Sequence, residues 1–429
     1  MSATPRVSAV RGFRDVLPEE SLVWRRLEQR ADRTFGEYGF VPVALPVLER
    51  IELFSRSLGD TSDVVEKEMF AFEDRDGATV ALRPEATAST VRAYLEQGPG
   101  GQGGRARYWY AGPMFRRERP QRGRYRQFQQ IGAEVFGEPG PLADAEVLLM
   151  LVDFLAAVGI RESRLLLGTV GDARCRPAYR DRLRAYGETH RDALCPNCRQ
   201  RLDRNPLRLL DCKEEGCRAA MTDAPLLVDH LCGECAEHFA AVRALLDGEC
   251  VSYELAPRLV RGLDYYTRTA FEVLAPGLGA QNAVGGGGRY DGLVETLGGP
   301  AVPALGFALG VDRLAIVLES EAREVPDSMA VLPLTEAATG PAFSLATRLR
   351  RGGHRVVLEP PGRSLKAMLR AADRQGARLA VLLGEDELAG GTLTIRDLQQ
   401  RRDHPAALPV DVSADRFTDW IRAQNEGRP

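Results

Sequence analysis

RYWYAGPMFRRERPQRGRYRQFQQIGAEVF, residues 107–136, reads as a strand, an arginine-rich loop and a second strand. Residues 106–115 and 126–136 carry the aromatic and branched side chains of paired strands. Six arginines, Arg116, Arg117, Arg119, Arg122, Arg124 and Arg126, fall within eleven residues between them. Pro120 and Gly123 interrupt that run, so the charges lie on a turn rather than on a solvated helix face. A fork of guanidinium donors at this density suits phosphate. In the second strand Phe128, Gln130 and Glu134 have the same parity and share one face, where a ring offers a stacking surface and an amide and a carboxylate offer polar contacts.

Working outward, residues 22–38 have apolar positions at helical spacing and stop at Gly39 before the extended GFVPVALPVLE, which breaks at Pro46. The segment RPEAT, residues 83–87, places Glu85 and Thr87 two residues apart at the entry to a helix over 87–96, a pairing that serves equally as a helix cap or as a grip on an ammonium group. Downstream, a buried helix is expected over 143–159. Residues 172–250 are richer in charge and cysteine, and read as an inserted helical domain. Strand signals return from Ser252, pass through LVRGLDYYTRT at residues 259–269 and the glycine run 285–288, and end in a strand and apolar helix over 304–318. The charged stretch 319–328 is a linker. Beyond it, alternating strand and helix patterns predict a small α/β domain with a largely parallel sheet.

The composition is globular: 44% hydrophobic and 27% charged over 429 residues, with a net charge of -3. That balance excludes a chain that coats nucleic acid indiscriminately, so nucleic-acid contact must come from local basic patches. The N-terminus lacks the order of a secretory signal, and the longest apolar run, 147–160, is too short to span a bilayer and carries Asp153. A cytoplasmic protein is expected. No GxxxxGK[ST] loop occurs, so any bound phosphates are held by arginines and metal.

Six of the eight cysteines lie between Cys195 and Cys235 as C-x2-C, C-x4-C and C-x2-C. The two C-x2-C pairs, Cys195 with Cys198 and Cys232 with Cys235, form a candidate tetrahedral zinc set; Cys212 and Cys217 are alternatives to one pair.

Together these segments resemble the histidyl-tRNA synthetases of bacterial type, a family of class II aminoacyl-tRNA synthetases, from about Val10 to Arg422. The helix and strand ending at Pro46 resemble motif 1, the family's dimer element. FRRERPQRGRYRQF lies in motif 2, and ALGFALGVDRLAIVL, with Arg313, resembles motif 3. RPEAT and LVRGLDYYT resemble the histidine-specific signatures.

The resemblance implies a class II α+β catalytic core with a mixed, mainly antiparallel sheet and flanking helices. It divides the chain into a first core part (1–171), the inserted helical domain (172–250), a second core part (251–325) and an anticodon-binding α/β domain (331–429). It implies that Glu85, Thr87 and Gln130 hold the α-amino group of histidine, and that Glu134 and Tyr266 read the imidazole with Tyr265 lining the pocket. Arg116 and Arg313 would grip the phosphates of ATP, which brings Mg2+, and Phe128 would stack on adenine. Arg261 would act at the α-phosphate. Arg117, Arg119, Arg122 and Arg124 would lie against the acceptor end of tRNA(His). Family relatives include inserted domains without a full cysteine set, so zinc is not implied by membership. Two other readings share the core: a non-catalytic regulatory subunit of a histidine-biosynthetic phosphoribosyltransferase, and a tRNA- or histidine-sensing module. The C-terminal domain, the intact LVRGLDYYT and the full arginine set speak against both.

Overall fold

The computed structural model describes residues 7–59, 64–98, 104–259, 265–279, 282–318 and 328–426. The chain falls into two compact units, residues 1–321 and 322–429.

The first unit is organised by an eight-stranded sheet. Ala106–Phe115 and Gln127–Phe136 form its hairpin, register-paired from Ala106 with Phe136 to Phe115 with Gln127. Gln127–Phe136 then pairs antiparallel with Ala304–Gly310, which pairs antiparallel with the glycine strand Ala283–Arg289. Thr267–Leu274 and Arg164–Thr169 continue the antiparallel run. The two parallel pairings are at the rims, Val41–Pro42 on Ala106–Phe115 and Glu254–Leu255 on Arg164–Thr169. The sheet is therefore mixed and mainly antiparallel. The extended run after Gly39 contributes only Val41 and Pro42 to this sheet, and Pro42 and Pro46 bring no N–H to a ladder.

Side-chain alternation divides the two faces of this sheet. Ile131, Ala133 and Val135 face an apolar core that also takes Leu305, Phe307 and Leu309 from the neighbouring strand. Helix Pro18–Glu37 covers that face through Leu27, Ala31 and Phe35, which recur every four residues. Gly39, at φ +79°, turns the chain out of the helix, a conformation that costs a Cβ-bearing residue. Helix Pro141–Ala157 is apolar on most sides and lies between Pro18–Glu37 and the insert's last helix, Gly233–Gly248. The opposite face of the sheet carries Phe128, Gln130 and Glu134, with helix Thr87–Gln97 beside it. A separate three-stranded antiparallel sheet, Leu48–Arg50, Thr79–Leu82 and Phe70–Glu73, leads into that helix.

The insert leaves the sheet after Arg164–Thr169. Helices Arg176–Thr189, Pro196–Arg204 and Glu215–Ala220 enclose a small core that includes Tyr179, Leu183, Leu202, Leu209 and Met221.

The second unit is a five-stranded sheet with helices. Its parallel part is limited to Ser328–Pro333 between Arg355–Leu358 and Leu379–Leu383. Thr392–Asp397 and Arg402–Pro409 pair antiparallel, so the largely parallel sheet expected from the strand–helix alternation is half antiparallel. The connections decide this. A parallel crossover needs about a dozen residues or more, and the links at 384–391 and 398–401 are shorter.

Candidate active site

A cleft of about 390 Å³ opens on the polar face of the eight-stranded sheet. Glu85, Thr87, Arg116, Phe128, Gln130, Tyr265, Tyr266 and Arg313 all line it, together with Glu118, Arg124, Glu272 and the glycine strand. Four segments far apart in sequence thus contribute to one cavity.

At one end the cleft is acidic. Glu85 is buried, and its two oxygens accept from the N–H groups of Thr87 (2.7 Å) and Ala88 (3.0 Å) at the start of helix Thr87–Gln97. The capping and ligand readings of RPEAT are therefore compatible: the helix N-terminus fixes the carboxylate that faces the cleft. Burial raises the pKa of Glu85 above the usual carboxylate range, against the pull of those two donors. Thr87 turns its hydroxyl onto Glu134, donating to Oε1 at 2.7 Å.

Glu134 lies under the cleft wall, fully buried. Tyr110 donates to its Oε1 at 3.2 Å, and Tyr290 donates to Oε2. Burial pushes Glu134 up to about 8, outweighing the Tyr290 and Thr87 donors, and the charge of Glu85 adds to the rise. Gly306, its cross-strand neighbour, has no room for a side chain: a Cβ there would stand 1.7 Å from Glu134 Oε2 and 2.4 Å from the Ala133 carbonyl. Tyr290 is aimed by the residue before it. The Arg289 guanidinium is wholly buried, donating from Nε to Asp144 (3.1 Å) and from Nη1 to the Glu138 carbonyl and Asp291 (both 3.0 Å). Asp144 also meets Nε2 of His238, from the insert's last helix, at 3.2 Å.

Between the ends, Gln130 has a buried Oε1 with no hydrogen-bond partner among the described residues. An unpaired buried acceptor on a cavity wall is costly unless a ligand donor meets it. Tyr265 packs on Tyr266 with ring centroids 4.8 Å apart and edge-on to Tyr290 at 5.6 Å, closing the same side.

The other end is cationic. Arg116 donates from Nε to the Pro84 carbonyl (2.9 Å), and its guanidinium sits 5.5 Å from the centre of the Phe128 ring. Arg313, on helix Val311–Leu318, donates to the carbonyls of Gly123 (3.3 Å) and Ala283. Burial, with the neighbouring Arg124 charge, lowers its pKa. Glu118 and Glu272 supply carboxylates on this side, the oxygen donors that a magnesium ion carried by a polyphosphate requires.

Of the arginines expected at a tRNA acceptor end, Arg124 lines the cleft beside Arg313, while Arg117, Arg119 and Arg122 are exposed outside it. Arg261 lies outside the described residues. Contributors that went unread in the sequence include Tyr110, Glu118, Glu272, Tyr290 and Asp312. Asp312 accepts from the Gln129 N–H (2.9 Å) and from Arg14 (2.7 Å), fastening helix Val311–Leu318 to the strand that bears Gln130. Equal parity with Phe128 and Gln130 in the neighbouring strand register was a signal for Tyr110; Tyr290 had none beyond its place after the glycine run.

The cysteine quartet expected from the C-x2-C spacing does not assemble. Cys195 and Cys198 meet Cys212 and Cys217, whereas Cys232 and Cys235 meet Asp172 and Cys175. The insert's helices place the two C-x2-C pairs in different corners, a separation that spacing alone does not encode.

Known proteins agree with this architecture. Residues 12–314 match the family model for histidyl-tRNA synthetase, and residues 328–424 match the one for the anticodon binding domain. The curated histidine–tRNA ligase of Anaeromyxobacter sp. (strain K) is 49% identical over 406 residues, covering 94% of this chain and 98% of its own length. That of Trichlorobacter lovleyi is 46% identical over 412 residues, covering 96% of this chain and 98% of its own. The crystal structure of apo S. aureus histidyl-tRNA synthetase superposes with a TM-score of 0.75 at 31% identity, covering 97% of this chain and 100% of that one. No helix among the described residues is long and apolar enough to cross a membrane. Family models, near full-length relatives and the layout of the cleft converge, and the chain belongs to the histidyl-tRNA synthetase family, with the class II fold and a C-terminal anticodon-binding domain.

Proposed function

We propose that this protein is a histidine–tRNA ligase, which joins L-histidine to ATP as histidyl-adenylate, releases pyrophosphate, and passes histidine to the terminal ribose of tRNA(His). One observation carries the reading: a single cleft is acidic at one end and cationic at the other, as a substrate pair of amino-acid ammonium and polyphosphate requires.

Glu85 and the unpaired Gln130 Oε1 receive the α-ammonium, with Thr87 beside them. Two carboxyl groups raised by burial, Glu85 and Glu134, are relieved when a cation enters. Glu134 takes the imidazole N–H, while Tyr266, with Tyr265 beside it, meets the other ring nitrogen. A side chain lacking either group leaves a buried polar atom unpaired and is rejected. Arg116 and Arg313 hold the ATP phosphates, with its Mg2+ at Glu118 and Glu272, and adenine lies on Phe128. The histidine carboxylate oxygen bonds to the α-phosphorus as the bond to the β-phosphate oxygen breaks, so no protein nucleophile is needed. The chain's contribution is alignment and stabilisation of phosphoryl charge. The role of Arg261 at the α-phosphate is carried by the LVRGLDYYT resemblance alone.

Arg117, Arg119 and Arg122, exposed beside the cleft, meet the acceptor end with Arg124 at its rim, and residues 328–424 read the anticodon. Motif 1 supports a homodimer, and the protein works in the cytoplasm. The regulatory-subunit and sensing readings are not favoured, since the chain keeps the anticodon-binding match and both Arg116 and Arg313 in the cleft. Histidine-dependent exchange of label between pyrophosphate and ATP tests the proposal. Exchange with histidine and with no other amino acid is expected; folded protein that exchanges with none would sink it.

A further inference from the structure

We propose that the insert holds two structural zinc ions, one on Cys195, Cys198, Cys212 and Cys217 and the other on Asp172, Cys175, Cys232 and Cys235. Within each group the four ligand atoms all lie within 4.8 Å of one another. Tetrahedral zinc with bonds of about 2.3 Å to sulfur holds its ligands about 3.8 Å apart, so each group needs only a small contraction around an ion. All eight cysteines are free thiols. The proposal stands independently of the activity, since it rests on the insert alone.

Each group is built from two short chelating turns. In the first, Cys195 caps helix Pro196–Arg204, and its sulfur accepts from the Cys198 N–H at 3.4 Å. The Cys217 sulfur accepts from the Cys195 N–H at 3.1 Å, joining the second turn to the first. Backbone N–H groups directed at sulfur stabilise thiolates, the form that binds zinc. In the second group, Asp172 and Cys175 have the same i, i+3 spacing as Cys232 and Cys235. The Asp172 N–H points at the Cys175 sulfur (3.3 Å). Asp172 Oδ1 faces the sulfurs of Cys175 (3.6 Å) and Cys232 (3.9 Å), while its Oδ2 is held by Arg174 at 2.8 Å. One oxygen is thus directed at the thiols and the other at a cation that orients it, the arrangement of a carboxylate ligand with its outer partner.

The fold supplies the need. Between Arg176 and Ala220 the insert has three helices of fourteen, nine and six residues around a small core, a size at which a metal commonly replaces missing apolar burial. The second site sits at the insert's root. There the Val170 N–H donates to the Arg268 carbonyl and the Arg268 N–H to the Gly171 carbonyl (both 2.7 Å), and Arg176 donates to the Tyr266 carbonyl. Cys250, exposed and in neither group, is an internal control.

The test is metal release from the intact protein, purified from cells grown with zinc. Elemental analysis is expected to give two zinc ions per chain, both liberated as a mercurial titrates the seven ligand thiols, with Cys250 reacting without release. One ion or none, bound iron in place of zinc, or disulfides within either group would overturn the assignment. Cys198→Ser and Cys235→Ser should each retain one ion, and Cys250→Ser two. Because a cysteine variant can fail to fold, the second site is also tested at its carboxylate. Asp172→Ala should yield one ion to a chelator that leaves the wild type loaded, and Asp172→Cys should restore retention. Full retention of both ions by Asp172→Ala would remove Asp172 from the site.

Discussion

The acidic end of the cleft and the cysteine groups of the insert are both clusters of polar side chains inside a small volume, yet they are finished differently. Around Glu134 the protein supplies most of the hydrogen bonds: Thr87, Tyr110 and Tyr290 all donate to one carboxyl group, and Arg289 and Asp144 hold Tyr290 in place. What stays open is confined to a few atoms facing the cleft, Gln130 Oε1 above all. In the insert, four thiols face one another, and three thiols face one carboxylate. The first cluster is set up to receive a substrate and release it. The second is incomplete until an ion stays.

This contrast can be broken most directly at the cationic end of the cleft. Arg116→Ala is expected to lower histidine-dependent pyrophosphate exchange by about 100- to 1000-fold, the usual effect of removing one donor to developing charge. Its zinc content should remain that of the wild type. Loss of zinc alongside activity would show that the two clusters are one structural unit.

Glu134→Gln comes next. An amide replaces the carboxyl group proposed to take the imidazole N–H, and a lost charge-assisted hydrogen bond of about 1.5–3 kcal/mol raises KM for histidine by about 10- to 100-fold. KM for ATP should move less than threefold. Equal losses for both substrates in steady-state kinetics would remove Glu134 from the ring site.

Smaller effects separate the two cysteine groups. The root site adjoins the backbone that carries Tyr266, through Arg176 and Arg268. Asp172→Ala should therefore raise KM for histidine about threefold to tenfold with kcat little changed, an effect on the order of one lost hydrogen bond. Cys198→Ser, remote from that backbone, should leave KM within about twofold. The reverse order would show that the root site does not position Tyr266.

A further effect is on stability against pH. Glu134 titrates near 8 when folded against an ordinary 4.5, so between those values the folded protein keeps a proton that the unfolded chain has released. Its contribution is full below pH 4.5 and is lost as pH rises through 8. The Tm difference between Glu134→Gln and the wild type should shift in favour of the variant from pH 5 to pH 8. A difference independent of pH would place the folded value at the ordinary one.

The sequence by itself determined the hairpin 106–136, the insert's helical character, the C-terminal α/β unit and part of the cleft lining, from Glu85 and Thr87 to Phe128 and Gln130. Those features come from signals that are local: strand alternation sets Phe128, Gln130 and Glu134 on one face, and cap chemistry sets Glu85. Motif resemblance added the family. Only tertiary structure decided which partners meet across the chain. Tyr290 reaches Glu134 from 156 residues away, and Asp312 reaches the Gln129 N–H from 183. Cysteine spacing favoured Cys195, Cys198, Cys232 and Cys235 as one set, and the packing of helices 176–220 gave each pair a different companion. A chelating pair is specified by a single turn of chain, whereas the choice between pairs is fixed only when whole helices are packed. Asp172 follows the same logic: nothing in its neighbourhood distinguishes it from other aspartates until the insert folds back on its own root.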